Sequence, residues 1–224
     1  MGTVTAALYT TSKQEDLTMS EFPRSPRILK GSLIGMDKYN PLASIIMFQY
    51  NPEKMQRSLQ TQASSPGATA EVLEMAGPPK ETITMEIDIE AADQLEQGAG
   101  PAVTMGIYPQ LSALEMLIYP KLVQVIKNDL LTAQGSIEIE GFEVPLTLLV
   151  WGPKRVLPVR VSSFQITEEA YDINLNPINA KVNISMEVLS YMDFQLSDPG
   201  RAIFLAHQAV KEAMAVVNTF IPRR

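Results

Sequence analysis

The chain of 224 residues is long enough to bury a substantial core, and its 46% hydrophobic and 19% charged content is ordinary for a folded protein. A net charge of −7 disfavours a nucleic-acid partner, because phosphate binding needs a basic surface. The lack of cysteine excludes disulfides, thiolate metal sites and cysteine nucleophiles. The sequence shows neither the pattern of a signal peptide nor the ~18 apolar residues of a membrane span. We therefore expect cytoplasmic synthesis without a signal peptide and no direct membrane insertion.

Composition divides the chain into three parts. Residues 1–27 are polar and uneven, which predicts a flexible N-terminal arm. Residues 28–195 carry strand-like patterns and predict one β-rich domain. Residues 196–224 change character and predict a C-terminal helical extension.

Two apolar runs begin the central domain. Residues 27–34 and 45–50 predict short strands, and the second is ended by Asn51-Pro52, because proline cannot donate a hydrogen bond to a neighbouring strand. Residues 61–81 are rich in Ala, Ser, Gly and Pro, which indicates a long connecting loop.

The clearest strand is predicted at residues 82–89. Isoleucine or methionine occupies every odd position and threonine, glutamate or aspartate every even one, the alternation of a strand with one buried face. A second Gly-rich loop is expected at residues 96–109.

One helix is predicted inside the domain. Apolar residues recur at spacings of three and four from Leu111 to Val125, the pattern of an amphipathic helix. Because proline disrupts a helix interior, Pro120 predicts a kink or a helix end near Tyr119.

The later part of the domain predicts three more strands. Residues 146–151 form one apolar run. Alternation from Val159 to Ile166 changes phase at the Ser162-Ser163 pair, which predicts a β-bulge. After turn-forming residues at 174–177, strict alternation resumes, so these last two strands predict an antiparallel hairpin.

The C-terminal extension predicts a helix that begins at Asp198-Pro199, a helix-capping residue followed by a proline suited to the first turn. Its apolar face is rich in alanine and runs to Phe220. Such a face suits docking better than core formation.

Candidates for chemistry are few. His207 is the only histidine, which excludes a two-histidine metal site, and we interpret it as a structural or surface residue. Glu86 with Asp88 and Glu138 with Glu140 lie two residues apart on predicted strands. This spacing is typical of a solvated strand face, so we prefer it to an acid–base pair. We predict no catalytic residue, no cofactor and no metal ion.

Several short motifs stand in a fixed order along the chain. An aromatic residue precedes Asn-Pro near the start, Trp-Gly precedes a later strand, and a proline turn precedes the last strand. This order resembles the N-terminal tube-type domain of contractile injection system baseplate proteins, although no LysM-like module follows here. The residues that carry the resemblance, and are candidates for assembly, are Phe48, Asn51, Pro52, Trp151, Gly152 and Pro177.

The resemblance implies a mainly β fold of the α+β kind, a tail-tube-like β-barrel with one packed helix plus the C-terminal helix. It also implies a structural role without enzymatic activity. The expected partners are further copies of the chain in a hexameric ring, together with inner-tube and baseplate hub or spike proteins of a phage-tail-like particle.

Two alternatives stay open. The chain could be a stacking inner-tube subunit, or a module that binds glycan or cargo. The second ranks lower because aromatic residues are only 7% of the chain and are scattered. An enzyme that uses Glu86, Asp88 or His207 ranks last.

Overall fold

The computed structural model describes residues 29–36, 45–63, 75–133 except 97 and 99, 141, and 144–218. Within these residues the protein is mainly β, with a seven-stranded antiparallel sheet and five helices. The predicted N-terminal arm, residues 1–27, lies outside them. The strands are β1 (Ser32–Met36), β2 (Ile45–Met47), β3 (Met55–Ala63), β4 (Met75–Glu90), β5 (Leu146–Val150), β6 (Val156–Tyr171) and β7 (Pro177–Val188). The helices are α1 (Ala92–Glu96), α2 (Ala102–Met105), α3 (Tyr108–Glu115), α4 (Leu122–Ala133) and α5 (Pro199–Asn218).

The strands follow the order β2-β1-β5-β6-β7-β4-β3 across the sheet. For the described residues this sheet is open, with β2 and β3 as its two edges. Five helices accompany it, where one packed helix and a C-terminal helix were predicted. Helix α2 also occupies part of residues 96–109, which had been assigned to a loop.

Strand β4 confirms the predicted alternation. The side chains at positions 83, 85, 87 and 89 are buried in the core, whereas Glu86 and Asp88 are exposed. The strand begins earlier than predicted, at Met75, so the assignment of residues 75–81 to a loop was wrong. The pairing of β3 with β4 shifts register beside Pro78-Pro79, where two backbone donors are missing.

Strand β3 was not predicted, and its position explains why. Among the described strands it is an edge strand with β4 as its one neighbour, and its side chains from residue 56 to residue 61 are exposed. An edge strand with little buried surface does not need apolar alternation, so its sequence is mostly polar.

The β6–β7 hairpin confirms the predicted bulge and turn. The pairing shifts register between Val161 and Ser163, and the Ser162 hydroxyl donates to the Ser185 carbonyl at 2.9 Å. In the turn, an Asp172 carboxylate oxygen accepts hydrogen bonds from two backbone amides of residues 174 and 176, which fixes the loop conformation.

The sheet is strongly curled. Gln49 lies two residues after edge strand β2, yet its side-chain oxygen accepts a hydrogen bond of 3.0 Å from the backbone of Glu90 at the end of β4. These strands are five places apart in the sheet order, about 24 Å in a flat sheet. Because a glutamine side chain cannot span that distance, the two edges of the sheet must curve towards each other around the core.

Two of the helices contact the sheet most closely, α5 at β6 and α3 at β2. The predicted break at Pro120 is confirmed, because α3 ends at Glu115 and α4 begins at Leu122. Helix α5 begins at Pro199 as predicted and lies against β6. Gly200 is needed there, since a Cβ atom would come within 2.5 Å of the Phe194 ring.

Candidate functional site

Two of the acidic residues considered for chemistry, Glu86 and Asp88, lie on the exposed face of β4. Glu86 is exposed on the outer face of β4, where one carboxylate oxygen accepts a hydrogen bond of 3.1 Å from Asn183 of β7. Asp88 lies two residues further on the same face. Glu138 and Glu140 fall outside the described residues. In the part of the chain that the structure describes, no three His, Asp or Glu residues are grouped closely enough to hold a metal ion.

The structure brings most of the motif residues together at one place. Phe48 is buried just after β2, and its backbone amide donates to the Gly31 carbonyl at 2.9 Å. Its ring lies against Trp151, with ring centroids 6.4 Å apart and planes tilted by 53°. We call this cluster of Gly31, Phe48, Asn51 and Trp151 the seam, because it joins the sheet edge at β2 to β1 and the β5–β6 turn.

Asn51 is the polar centre of the seam. Its side-chain oxygen accepts from the Gly31 amide and its side-chain nitrogen donates to the Leu29 carbonyl, both at 2.8 Å. The asparagine amide therefore satisfies two backbone groups next to β1, as a neighbouring strand would. The half-buried Pro52 follows and directs the chain away towards β3.

The β5–β6 turn supplies the other half of the seam. Gly152 has a φ of 73°, a conformation that favours glycine, and the Trp151 amide donates to the Arg155 carbonyl at 2.8 Å. This turn holds the indole ring over Gly31. A Cβ atom on Gly31 would come within 2.6 Å of that ring, so only glycine fits.

Pro177 lies elsewhere. It is buried at the start of β7, and its carbonyl accepts a hydrogen bond of 2.8 Å from Ile107 at the beginning of α3. Gly106, with a φ of 57°, passes so close that a Cβ atom would overlap the Pro177 carbonyl. Sequence reasoning missed both Gly31 and Gly106. Gly31 lies inside the strand predicted at residues 27–34, where a glycine can mark the close approach of another group, whereas Gly106 lies inside the predicted Gly-rich loop and had no distinct signal.

A second buried polar cluster, also missed, joins α5 to the sheet. Glu81 is buried on the core side of β4, where Arg57 of β3 donates to it at 2.6 Å and the Lys211 ammonium of α5 lies 3.6 Å away. Extending the alternation of β4 back by one step from Ile83 places Glu81 on the buried face. The sequence therefore held a signal for a paired carboxylate.

His207 lies beside this cluster and is buried. Of the two alternatives predicted from the sequence, a structural residue or a surface residue, its burial agrees with the first. Its ring nitrogens make no hydrogen bond of normal geometry within the described residues, and the Lys154 backbone interacts with the ring only weakly. Burial lowers the pKa of His207, and the positive charge of Lys211 lowers it further, although Glu81 opposes the shift. Protonation of the imidazole is thus less favourable in the folded protein than in the unfolded chain.

Apolar side chains are exposed at both ends of the sheet. Ile173 and Leu175, in the β6–β7 turn, are 98% and 75% exposed. At the opposite end, the exposed Leu59 is level with the last pairing of β4 with β7, and the β3–β4 ribbon extends past that pairing to the exposed Met75. Exposed apolar groups on projecting elements are typical of surfaces that are buried by a partner.

No model of a known protein family matches this chain, and no curated protein matches it as a relative. Among the described residues, the helices are all too short or too polar to cross a membrane.

Proposed function

We propose that the protein is a structural component of a contractile injection system, a ring-forming adaptor between the inner tube and the baseplate hub or spike. In this proposal the curled sheet is a tail-tube-like barrel that its neighbours complete. The order of the motifs in the sequence supports the family, and the shape of the molecule supports the adaptor role within it.

The observation that carries the adaptor role is the pair of apolar projections at opposite ends of the sheet. The β6–β7 turn is held in place next to α3, because the Pro177 carbonyl accepts a hydrogen bond from the backbone at the start of that helix. The β3–β4 ribbon extends by residues 75–80 beyond Glu81, about 20 Å at the rise of a β-strand. A subunit with a different apolar projection at each end is suited to contact one partner above and another below.

The open edges of the sheet support the ring. Strands β2 and β3 each have one neighbour in the described residues, so each presents unpaired backbone groups on its other side. A closed ring of identical subunits buries such edges, since every copy offers the same two edges to its neighbours.

The experiment is imaging and native mass measurement of the purified protein, alone and with the neighbouring tube and hub proteins. The proposal expects a six-fold ring that binds both. A monomer that binds neither protein would refute the proposal.

The two ends are tested separately with Ile173→Asp in the turn and Met75→Asp in the ribbon. Each variant is expected to lose one neighbour and keep the other, because a buried charge is costly at an apolar contact. Thr167→Asp, at an exposed position on β6, is the matched control and should keep both. If both end variants lose the same neighbour, the two-ended adaptor is wrong and a one-sided role replaces it.

A further inference from the structure

Helix α5 contacts the sheet along one face, and the two halves of that face differ. In the first half, the ring of Phe204 packs on the core. In the second half, His207 is buried, and Gln208 and Lys211 are half-buried. The Gln208 amide donates to a side chain of α5 itself, and residues 212–218 are all exposed. Apolar packing therefore holds the first half, whereas His207 and Lys211 hold the second.

His207 is an unusual residue for this position. Only 7% of it is exposed, and within the described residues neither ring nitrogen makes a hydrogen bond of normal geometry. Buried polar side chains are normally hydrogen-bonded. A neutral imidazole can remain in such surroundings, but a protonated one brings in a second N–H donor and a full charge, both of which need partners. The docked helix thus accommodates the neutral ring and disfavours the protonated one.

The charges around the ring are mostly positive. The charged residues concerned are Lys211 of α5, Glu81 of β4 with its partner Arg57 of β3, and Lys154 and Arg155 of the β5–β6 turn. Glu81 already has two cationic partners, since Arg57 donates to it at 2.6 Å and the Lys211 ammonium lies 3.6 Å away. The Arg155 guanidinium donates to the Met55 sulfur at 3.6 Å, which does not neutralise its charge. A proton on His207 therefore adds to an excess of positive charge.

Strand β6, on which α5 lies, contributes an ion pair of its own. Between residues 156 and 161 its charged residue is Arg160, which is exposed and forms an ion pair of 2.7 Å with Glu187 of β7. The Glu187 carboxylate is thus already paired with a cation, as the Glu81 carboxylate is.

We propose that His207, Lys211 and Glu81 form a pH-sensitive latch, which holds the second half of α5 on the sheet at neutral pH and releases it in mildly acidic solution. Release lets both ring nitrogens reach water and separates the new charge from Arg155. Glu81 keeps its partner Arg57 after release, so that its charge stays paired. Phe204 remains packed on the core and keeps the first half of the helix in place.

The direction of the effect follows from proton linkage. Burial lowers the pKa of His207 in the docked helix, and the charge of Lys211 lowers it further. The released helix binds the proton more strongly, so docking is favoured above the ordinary histidine pKa of about 6.5 and is weakened below it. The equilibrium constant for release should therefore rise about tenfold between pH 7.5 and pH 5.5.

Hydrogen exchange of the full chain, followed by mass spectrometry at pH 7.5, 6.5 and 5.5, tests the latch. A helical segment this short is marginal in water, so its backbone amides exchange when it leaves the sheet. After correction for the intrinsic pH dependence of exchange, the protection of residues 208–218 should fall about tenfold from pH 7.5 to pH 5.5. The protection of β4, β6 and β7 should stay the same.

Two variants connect this change to the latch. His207→Gln does not titrate, so its α5 protection should be equal at the two pH values. Lys211→Met should show a smaller fall than the wild type, because it removes a charge that opposes protonation and leaves Glu81 free to pair with the ring. Lys181→Met is the matched control, since Lys181 forms an exposed ion pair with Glu169 and has no contact with α5 in the described residues. It should keep the full tenfold fall.

A distance measurement with His207 in place checks the same movement. Because the chain has no cysteine, Ala213→Cys on α5 and Thr167→Cys on β6 give two unique labelling sites, and both positions are exposed. Spin labels at these sites should show one distance at pH 7.5 and an added, broader population at pH 5.5. A distribution that does not change between the two pH values overturns the latch.

The other outcomes of hydrogen exchange also decide. Protection of α5 that is unchanged with pH in the wild type overturns the latch. An equal fall in the wild type and His207→Gln shows that a different group titrates, and a joint fall in α5 and the core strands shows unfolding of the whole domain. Either result overturns it, as does a full tenfold fall in Lys211→Met. The latch lies within one subunit, so its failure would leave the proposed ring unaffected.

Discussion

Helices α3 and α4 stand on either side of Pro120 and continue one apolar repeat, but they direct it in opposite ways. Leu114 of α3 is fully buried in the core, whereas Leu122 of α4 is 71% exposed. The same residue type at the same kind of spacing thus stabilises the subunit in one helix and covers no core in the other. An apolar repeat predicts that a surface will be buried, but it does not say whether the chain itself or a partner will bury it.

The largest effect is expected in α3, the helix whose apolar residue Leu114 is buried in the core. Leu114→Ala should lower the free energy of unfolding by about 2–5 kcal/mol, because it leaves a cavity in a packed core. The matched control is Leu122→Ala, which removes the same atoms from an exposed position and should change the free energy of unfolding little. Urea denaturation of both variants measures the two free energies. Equal losses in both would break the contrast between the helices.

The second-largest effect is expected in the seam, because its residues are closely packed. In Gly31→Ala the new methyl group would come within 2.6 Å of the Trp151 ring, and such overpacking costs about 1–3 kcal/mol. Trp151 is the only tryptophan, so its fluorescence reports a shift of the ring directly. Gly141→Ala is the control, since no atom lies within 4 Å of its added carbon. An unchanged emission spectrum and stability in Gly31→Ala would contradict the close packing of the seam.

His207 gives a smaller effect that depends on pH. Its pKa is lowered in the folded protein, so the unfolded chain takes up the proton first as pH falls. Stability is fully present above the unfolded pKa of about 6.5 and is lost below it, by at most about 1.4 kcal/mol per pH unit. Lys211 and Arg155 oppose protonation of the ring and Glu81 favours it.

The measurement is denaturation of the wild type and His207→Gln at pH 7.5 and pH 5.5. The difference in stability between the two chains should change with pH, because glutamine does not titrate. If the wild type and the variant lose stability in parallel, His207 does not carry this pH dependence.

The smallest effect is expected in α4, where the apolar residue Ile126 is exposed. Ile126→Ser should change the stability of the monomer by no more than about 0.5 kcal/mol, as for most exposed positions. Thermal denaturation at low protein concentration, where copies are apart, measures it. A loss of 2 kcal/mol or more would mean that α4 already packs on its own subunit.

The seam shows which residues of the candidate site could be predicted from the sequence. Phe48, Asn51 and Trp151 were selected by their order in the chain, and the structure brings all three to Gly31. The sequence could not supply Gly31, because its role depends on an indole ring 120 residues away. Pro177 was selected with them but lies apart from the seam, at the start of β7 and against the start of α3, because order along the chain does not fix distance in space.

What the sequence determined by itself is local. The alternation in β4, the bulge at Ser162-Ser163 and the helix break at Pro120 each follow from the geometry of a few neighbouring residues, and each is confirmed. The tertiary structure decided what depends on distant partners. It buried Glu81 against Arg57, and it turned the apolar side chains of α4 outwards. A repeat of two or four residues specifies which side chains share a face, but only the packing of the whole chain specifies what that face meets.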